Sequence, residues 1–122
     1  MRLRSLIPIL RTFDEAKAKE FYGGFLGFKM DWEHRFAPQL PLYCQVSRGG
    51  CVLHLSEHHG DATPGSALRI EVEGLDELHA ELTAKNYRHA RPAIEQQPWG
   101  RDMAVKDPFG NRLVFSELSS SG

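Results

Sequence analysis

Residues 95–117, EQQPWGRDMAVKDPFGNRLVFSE, decide how this chain is read. They hold a polar loop tipped by an indole (Gln97, Pro98, Trp99, Gly100, Arg101), a strand-like run, a tight turn (Asp107, Pro108, Phe109, Gly110, Asn111) and a second strand-like run ending in Ser116 and Glu117. The closing word, LVFSE at 113–117, has a counterpart sixty positions earlier in LHLSE at 53–57, and Gly110 has one in Gly50. Matching words at one offset mark internal duplication, so each half is expected to be a copy of one supersecondary unit.

Working outward, residues 3–10 are largely apolar, with Ile7 and Ile9 β-branched, and read as a strand. Pro8 has no amide hydrogen for a ladder, so the strand lies at an edge or changes direction there. Asp14 caps a helix running to about Phe25, with Ala18, Phe21, Tyr22 and Phe25 at three- and four-residue spacing, and Gly27 ends it. Phe28 opens a strand that gives way to loop across residues 31–41 (DWEHRFAPQLP), and residues 42–46 and 52–56 form a hairpin around Arg48, Gly49 and Gly50. Residues 58–65, HHGDATPG, have the composition of a linker. From 67 to 73 the chain alternates, with Leu68, Ile70 and Val72 on one face and Ala67, Arg69, Glu71 and Glu73 on the other, as a half-buried strand does. Leu75, Leu78, His79 and Leu82 mark a second amphipathic helix from near Asp76 to Asn86, and residues 88–98 supply a strand and an irregular loop. Each half therefore reads strand, helix, three strands. The expectation is an α+β chain of two βαβββ modules, about 1–57 and 66–118, in one domain of residues 1–122, with a cupped mixed sheet in front and helices behind.

A length of 122 residues, 41% hydrophobic and 25% charged, suits one globular domain. A net charge of −1 and a pI near 6.6 provide no basic field for phosphates, so nucleic acid is not an expected partner. The apolar run near the N-terminus is too short for a signal sequence or a membrane span, so no membrane partner and a cytoplasmic location are expected. Cys44 and Cys51 fall on neighbouring strands with no histidine pair at zinc-finger spacing, and read as packed thiols. The tail SSSG, residues 119–122, is expected to fray.

Carried over by the offset, strand parity puts Ile7, Ile9, Arg11, His54 and Ser56 on the concave face, with Ala67, Arg69, Glu71, Val114 and Ser116 from the second half. A catalytic divalent metal needs three or four converging donors. Of the four pseudo-symmetric central positions, Ile7, His54, Ala67 and Val114, only His54 has one, so neither metal nor cofactor is expected and His54 reads as a hydrogen-bonded cup or core histidine. His58, His59 and Asp61 read as surface groups of the linker. Arg69 and Glu71 are read as a cup-lining pair, or as a base and the group that tunes it. No nucleophile elbow or phosphate loop is present. The aromatics are the better signal: Trp99 and Phe36 sit in corresponding polar, proline-bearing stretches, a poor address for core residues. Held on loops, they would clamp a flat heteroaromatic ligand by stacking, worth about 0.5–1.5 kcal/mol per contact beyond area burial. The other reading of Trp99 is a plug at the mouth of the cup or a dimer contact.

Four motifs, IPIL with its embedded Pro8, FYGGFLGF, GLDELHAEL and above all EQQPWGRDMAVKDPFGNRLVF, make the chain resemble the vicinal oxygen chelate (glyoxalase) superfamily, and within it the bleomycin resistance proteins. The resemblance implies the glyoxalase/bleomycin resistance fold and a homodimer that exchanges its first strand about a hinge at Pro8. It also implies two crevices between subunits, each taking up one bleomycin-type glycopeptide, with no catalysis. The stacking aromatics match Phe36 and Trp99, and the metal positions of catalytic members match Ile7, His54, Ala67 and Val114. The resistance proteins are strongly acidic and this chain is near neutral. Asp31, Glu33, Glu71 and Glu95 are expected to make the crevice locally negative, with Arg35, Arg69 and Arg101 opposing them. Two other readings stand beside sequestration: an enzyme of the superfamily (lyase, dioxygenase or thiol transferase) and an accessory module for another aromatic or cationic metabolite.

Overall fold

Asp14 starts the first helix from an extended backbone, and its carboxylate accepts the Lys17 amide at 3.0 Å, satisfying a donor that the first turn leaves unpaired. In the computed structural model, which describes residues 1–119, the helix begins as α1 (Glu15–Ala18) and widens into a π-helical stretch, π1 (Lys19–Phe25). The periodicity predicted one uniform helix; the wider turn contains Gly23 and Gly24, where the backbone is least constrained. The inward face matches the expectation. Phe21, Tyr22 and Phe25 are buried, with Phe21 edge-on to Tyr22 at 5.0 Å, alongside Leu10, Leu26, Leu53 and Leu55. Each such side chain contributes about 1.5–3 kcal/mol by leaving water.

The chain divides into two units, Met1–Pro64 and Gly65–Gly122. The first adds β1 (Ile9–Arg11), β2 (Lys29–His34), β3 (Tyr43–Arg48) and β4 (Cys51–Ser56), hydrogen-bonded in the order β1-β4-β3-β2. β1 is shorter than predicted. Bonding to β4 begins at Pro8, which has no amide to donate but whose carbonyl accepts the His54 amide at 3.0 Å, and Leu3 and Leu6 before it are exposed. The second unit repeats the plan with β5 (Ala67–Glu71), α2 (Leu75–Ala84), β6 (Ile94–Gln97), β7 (Gly100–Lys106) and β8 (Arg112–Leu118), in the order β5-β8-β7-β6.

The duplication is written into the ladders. Ile9 lies opposite His54 and Arg11 opposite Ser56, while Arg69 lies opposite Val114 and Glu71 opposite Ser116, every partner displaced by sixty positions. Both first strands run parallel to the last strand of their own unit, as two βαβββ copies require.

Side chains from elsewhere in the unit finish α2. Gly74 offers no cap of its own, so the Glu117 carboxylate accepts the Gly74 and Leu75 amides at 3.2 and 3.0 Å. Asn86 closes the helix in the left-handed region, φ 50°, with its amide on the Thr83 carbonyl. Cys44 is buried and Cys51 half-buried, both free, the packed thiols expected; burial pushes both thiols up, Cys44 to about 11. Among the described residues no helix is long and apolar enough to cross a membrane. Apart from Ser119, the expected frayed tail lies outside the described residues.

Candidate functional site

Each sheet has one face toward its helix and one away from it, and strand parity decides which side chains reach the open face. In β2 that parity shifts: Met30 pairs with Val46 but Trp32 with Gln45, so Asp31 is the extra residue of a bulge. Asp31 and Trp32 consequently both serve the open face. Trp32 stacks on Tyr43 (centroids 5.9 Å apart, planes 11° apart), and His54 meets both rings edge-on at 5.3 and 5.2 Å. This aromatic wall, with Trp32 itself 41% exposed, was not foreseen, because plain alternation through residues 28–34 hides the bulge.

Hydrogen bonding fixes the chemical state of the wall. The Gln45 amide donates to Asp31 at 3.0 Å, so its carbonyl oxygen is the acceptor for His54 Nε2–H at 3.0 Å. In that tautomer His54 Nδ1 accepts from the Tyr43 hydroxyl at 2.7 Å, and both ring nitrogens are engaged. Gln45, Ser47 and Lys29 hold the Asp31 carboxyl below its ordinary range. These residues do not fit a metal: Ile7, Ala67 and Val114 carry no donor atom, and the His54 lone pair is already taken.

The open face of the second sheet is organised by Asp102. Its carboxylate accepts from Arg69 at 2.9 and 3.0 Å, from the Ser116 hydroxyl at 2.7 Å and from the Trp99 indole N–H at 3.0 Å. Burial pushes this carboxyl up, but the bonds from Ser116, Trp99 and Arg69 outweigh it and leave it below the ordinary value. The Arg69 guanidinium also lies 5.1 Å from the Trp99 ring centroid, so the indole is oriented at its N–H and on a ring face while staying 44% exposed. Asp102 sits beside Arg101 in the sequence, and only the register of β7 against β8 reveals which of the two turns to this face.

The remaining expected site residues separate by face. Phe36 stands 76% exposed on the loop after β2, edge-on to His34 and His58 at 4.7 and 6.3 Å. Glu71 and Glu95 are exposed, Glu95 directly opposite Asp102 in the ladder. Two expectations need correcting. Glu33 turns to the helix side, where it pairs with Lys19 at 2.8 Å; Lys19 also bonds Glu15, which in turn pairs with Arg35. Arg101 likewise faces α2, bonding Asp76 at 3.0 Å and Glu117 at 2.5 Å. Alternation is the physical reason, since each sits one position from an open-face residue.

The Arg101 cluster sets an acid limit. Arg101 holds Asp76 below its ordinary range, and the Leu75 amide followed by Arg101 does so for Glu117. A carboxyl depressed in the folded state stabilises fully above its unfolded pKa, and that contribution is lost as pH falls through the folded one. Denaturant midpoints are therefore expected to stay level from about pH 7 to 5 and to drop below about pH 4. Arg101→Met should lower the plateau and flatten the drop; an unchanged acid limb would show the cluster to be thermodynamically silent.

Residues 1–122 match a family model described as "Glyoxalase superfamily protein". Bleomycin resistance proteins of Geobacillus stearothermophilus and Staphylococcus aureus are each 37% identical over 57 residues, 46% of this chain and 43% of theirs, so the match spans less than half the length of those relatives. The crystal structure of the bleomycin-binding protein from bleomycin-producing Streptomyces verticillus, complexed with copper(II)-bleomycin, is similar at 30% identity and a TM-score of 0.72, covering 98% of this chain and 99% of that one. TnmS3, an antibiotic binding protein from Streptomyces sp. CB03234, shares the fold at 24% identity and a TM-score of 0.76, again over 98% and 99%. With two βαβββ units in matching register and a family model matched over residues 1–122, the chain belongs to the glyoxalase superfamily.

Proposed function

We propose that this protein is a non-catalytic binder that sequesters bleomycin-type glycopeptide antibiotics and thereby confers resistance. The observation that carries the reading is the Trp99 indole, anchored by Asp102, backed by Arg69 and still nearly half in solvent. A plug would be buried; an oriented, exposed ring is prepared to stack on a flat heteroaromatic group. Phe36 is the second stacking side chain. Trp32, Tyr43 and His54 extend the aromatic surface of the first unit. The similarity to the Streptomyces verticillus protein, over nearly the whole of both chains, supports the ligand class.

The working form is a homodimer with two crevices, in which the exposed segment before Pro8, bearing Leu3 and Leu6, is exchanged between subunits. Keeping a drug from DNA requires sharing its compartment, so the cytoplasm is the expected location. Catalysis by a superfamily metal is disfavoured by the donor set, in which His54 stands alone and is already committed.

Isothermal calorimetry with metal-free and copper-loaded bleomycin tests the reading. One ligand per chain is expected. Trp99→Ala should weaken binding at least about tenfold, as truncation of an aromatic anchor does, with little change in the denaturant midpoint, because Asp102 keeps Arg69 and Ser116. Absence of heat at high micromolar drug removes bleomycin as the ligand. A collapse of stability in Trp99→Ala would make the indole structural.

A further inference from the structure

A crevice of about 280 Å3 opens on the second sheet, lined by Arg69, Arg91, Arg112, Glu95, Gln97 and Asp102. Ala93, Ala104 and Val114 supply its apolar part. Neither Arg91 nor Arg112 entered the sequence-based account of the site. The charges here are not balanced. Asp102 is engaged by Arg69, Ser116 and Trp99, three of its four bonds falling on Oδ1, and it bonds neither of the other two guanidiniums. The side chains of Arg91 and Arg112 have no partner among the described residues, and Glu95 is the one remaining carboxylate lining the crevice. Two unpaired guanidiniums thus face a single unpaired carboxylate above an apolar floor. The helix-side pairing of Glu33 and Arg101 adds nothing to this count, which inverts the local negative charge expected from sequence.

We infer that this crevice selects planar aromatic ligands carrying an anionic group, a carboxylate, sulfonate or phosphate monoester, received by Arg91 and Arg112. A guanidinium presents forked N–H donors that match two oxygens of such a group, whereas an ammonium group would meet like charge. The volume, near the lower end for small-molecule sites, suits one or two fused rings and their substituent. Val114 and Ala104 give the rings a flat seat. The inference rests on reading the open face as the binding surface and concerns this crevice alone; the cationic end of a bleomycin-type drug would have to seat outside it.

Two probes of one shape, naphthalene-2-sulfonate and 2-naphthylmethylammonium, test it by calorimetry at low and at high salt, with bleomycin titrated in parallel. The sulfonate is expected to bind at least tenfold tighter than the ammonium compound, with its advantage shrinking as salt rises. In Arg91→Glu/Arg112→Glu the order should reverse. Both side chains are exposed, and a matching Arg91→Gln/Arg112→Gln variant that keeps the wild-type melting temperature while losing at least tenfold in sulfonate affinity separates charge from folding. Equal or tighter binding of the ammonium probe overturns the inference, as does a sulfonate preference that survives charge reversal. Drug binding without any anion preference sinks this inference and leaves sequestration standing. Anion preference without drug binding upholds it and removes bleomycin, and failure of every compound to bind ends both.

Discussion

Gly100→Ala is expected to destabilise the protein by at least about 4 kcal/mol, the range reached when a special backbone conformation is filled and a packed contact broken together. Gly100 opens β7 at φ 147°, a region that L side chains rarely enter. A Cβ there would lie 2.2 Å from the Glu117 carbonyl oxygen, 2.8 Å from the Ser119 nitrogen and 2.9 Å from the Leu118 Cα. All three are backbone atoms of the neighbouring strand or its end, and the Trp99 carbonyl holds that segment through the Ser119 amide at 2.9 Å. Relief therefore requires prising β7 from β8, which also moves the Trp99 indole. Gly24→Ala is the control: an added Cβ there meets nothing within 4 Å, and a change within about 1 kcal/mol is expected. Urea denaturation of both variants decides the matter, and similar midpoints would refute the steric account.

Asp107→Ala is expected to cost roughly 3–5 kcal/mol, because a buried acceptor serves three donors that no water can reach. Its Oδ1 accepts the Phe109 and Asn111 amides at 2.9 and 2.8 Å, and its Oδ2 accepts the Asn111 side-chain amide at 2.8 Å. Asn111 is fully buried, and its own oxygen receives the Ser66 amide at 3.1 Å, so the turn also positions the start of β5. Asp107→Asn keeps one acceptor oxygen and should lose only about 1–2 kcal/mol. Equal losses in the two variants, measured by the same denaturation, would contradict this graded account and assign the whole effect to the carboxylate charge or its Oδ2 bond to Asn111.

Local chemistry is what the sequence made legible. Asp14 as a cap, Asn86 as the end of α2 and DPFGN as a turn each act within a few residues, and their spacing alone identifies them. The duplication was readable because β4 and β8 end in the same word, and the ladder registers reproduce its offset. What escaped depends on facing. One bulge at Asp31 reverses the parity of β2, bringing Trp32 to the open face and leaving Glu33 with Lys19. Trp99 was read as the tip of a loop that included Arg101; the turn is tighter, so Arg101 already lies in β7 on the helix side and Asp102 takes the site position. Arg91 and Arg112, in a loop and at the end of a strand, carry no periodic signal at all. Their role emerges only where the crevice gathers them.

In the function proposed above, Trp99 presents a prepared stacking surface to a glycopeptide drug. The chain has two tryptophans, so Trp32→Phe leaves Trp99 as the sole indole reporter. Titrating that variant with metal-free bleomycin, which carries no paramagnetic ion to quench emission by itself, should give a saturable fall in Trp99 fluorescence at one drug molecule per chain. Emission that stays flat to high micromolar drug while the protein remains folded would contradict it.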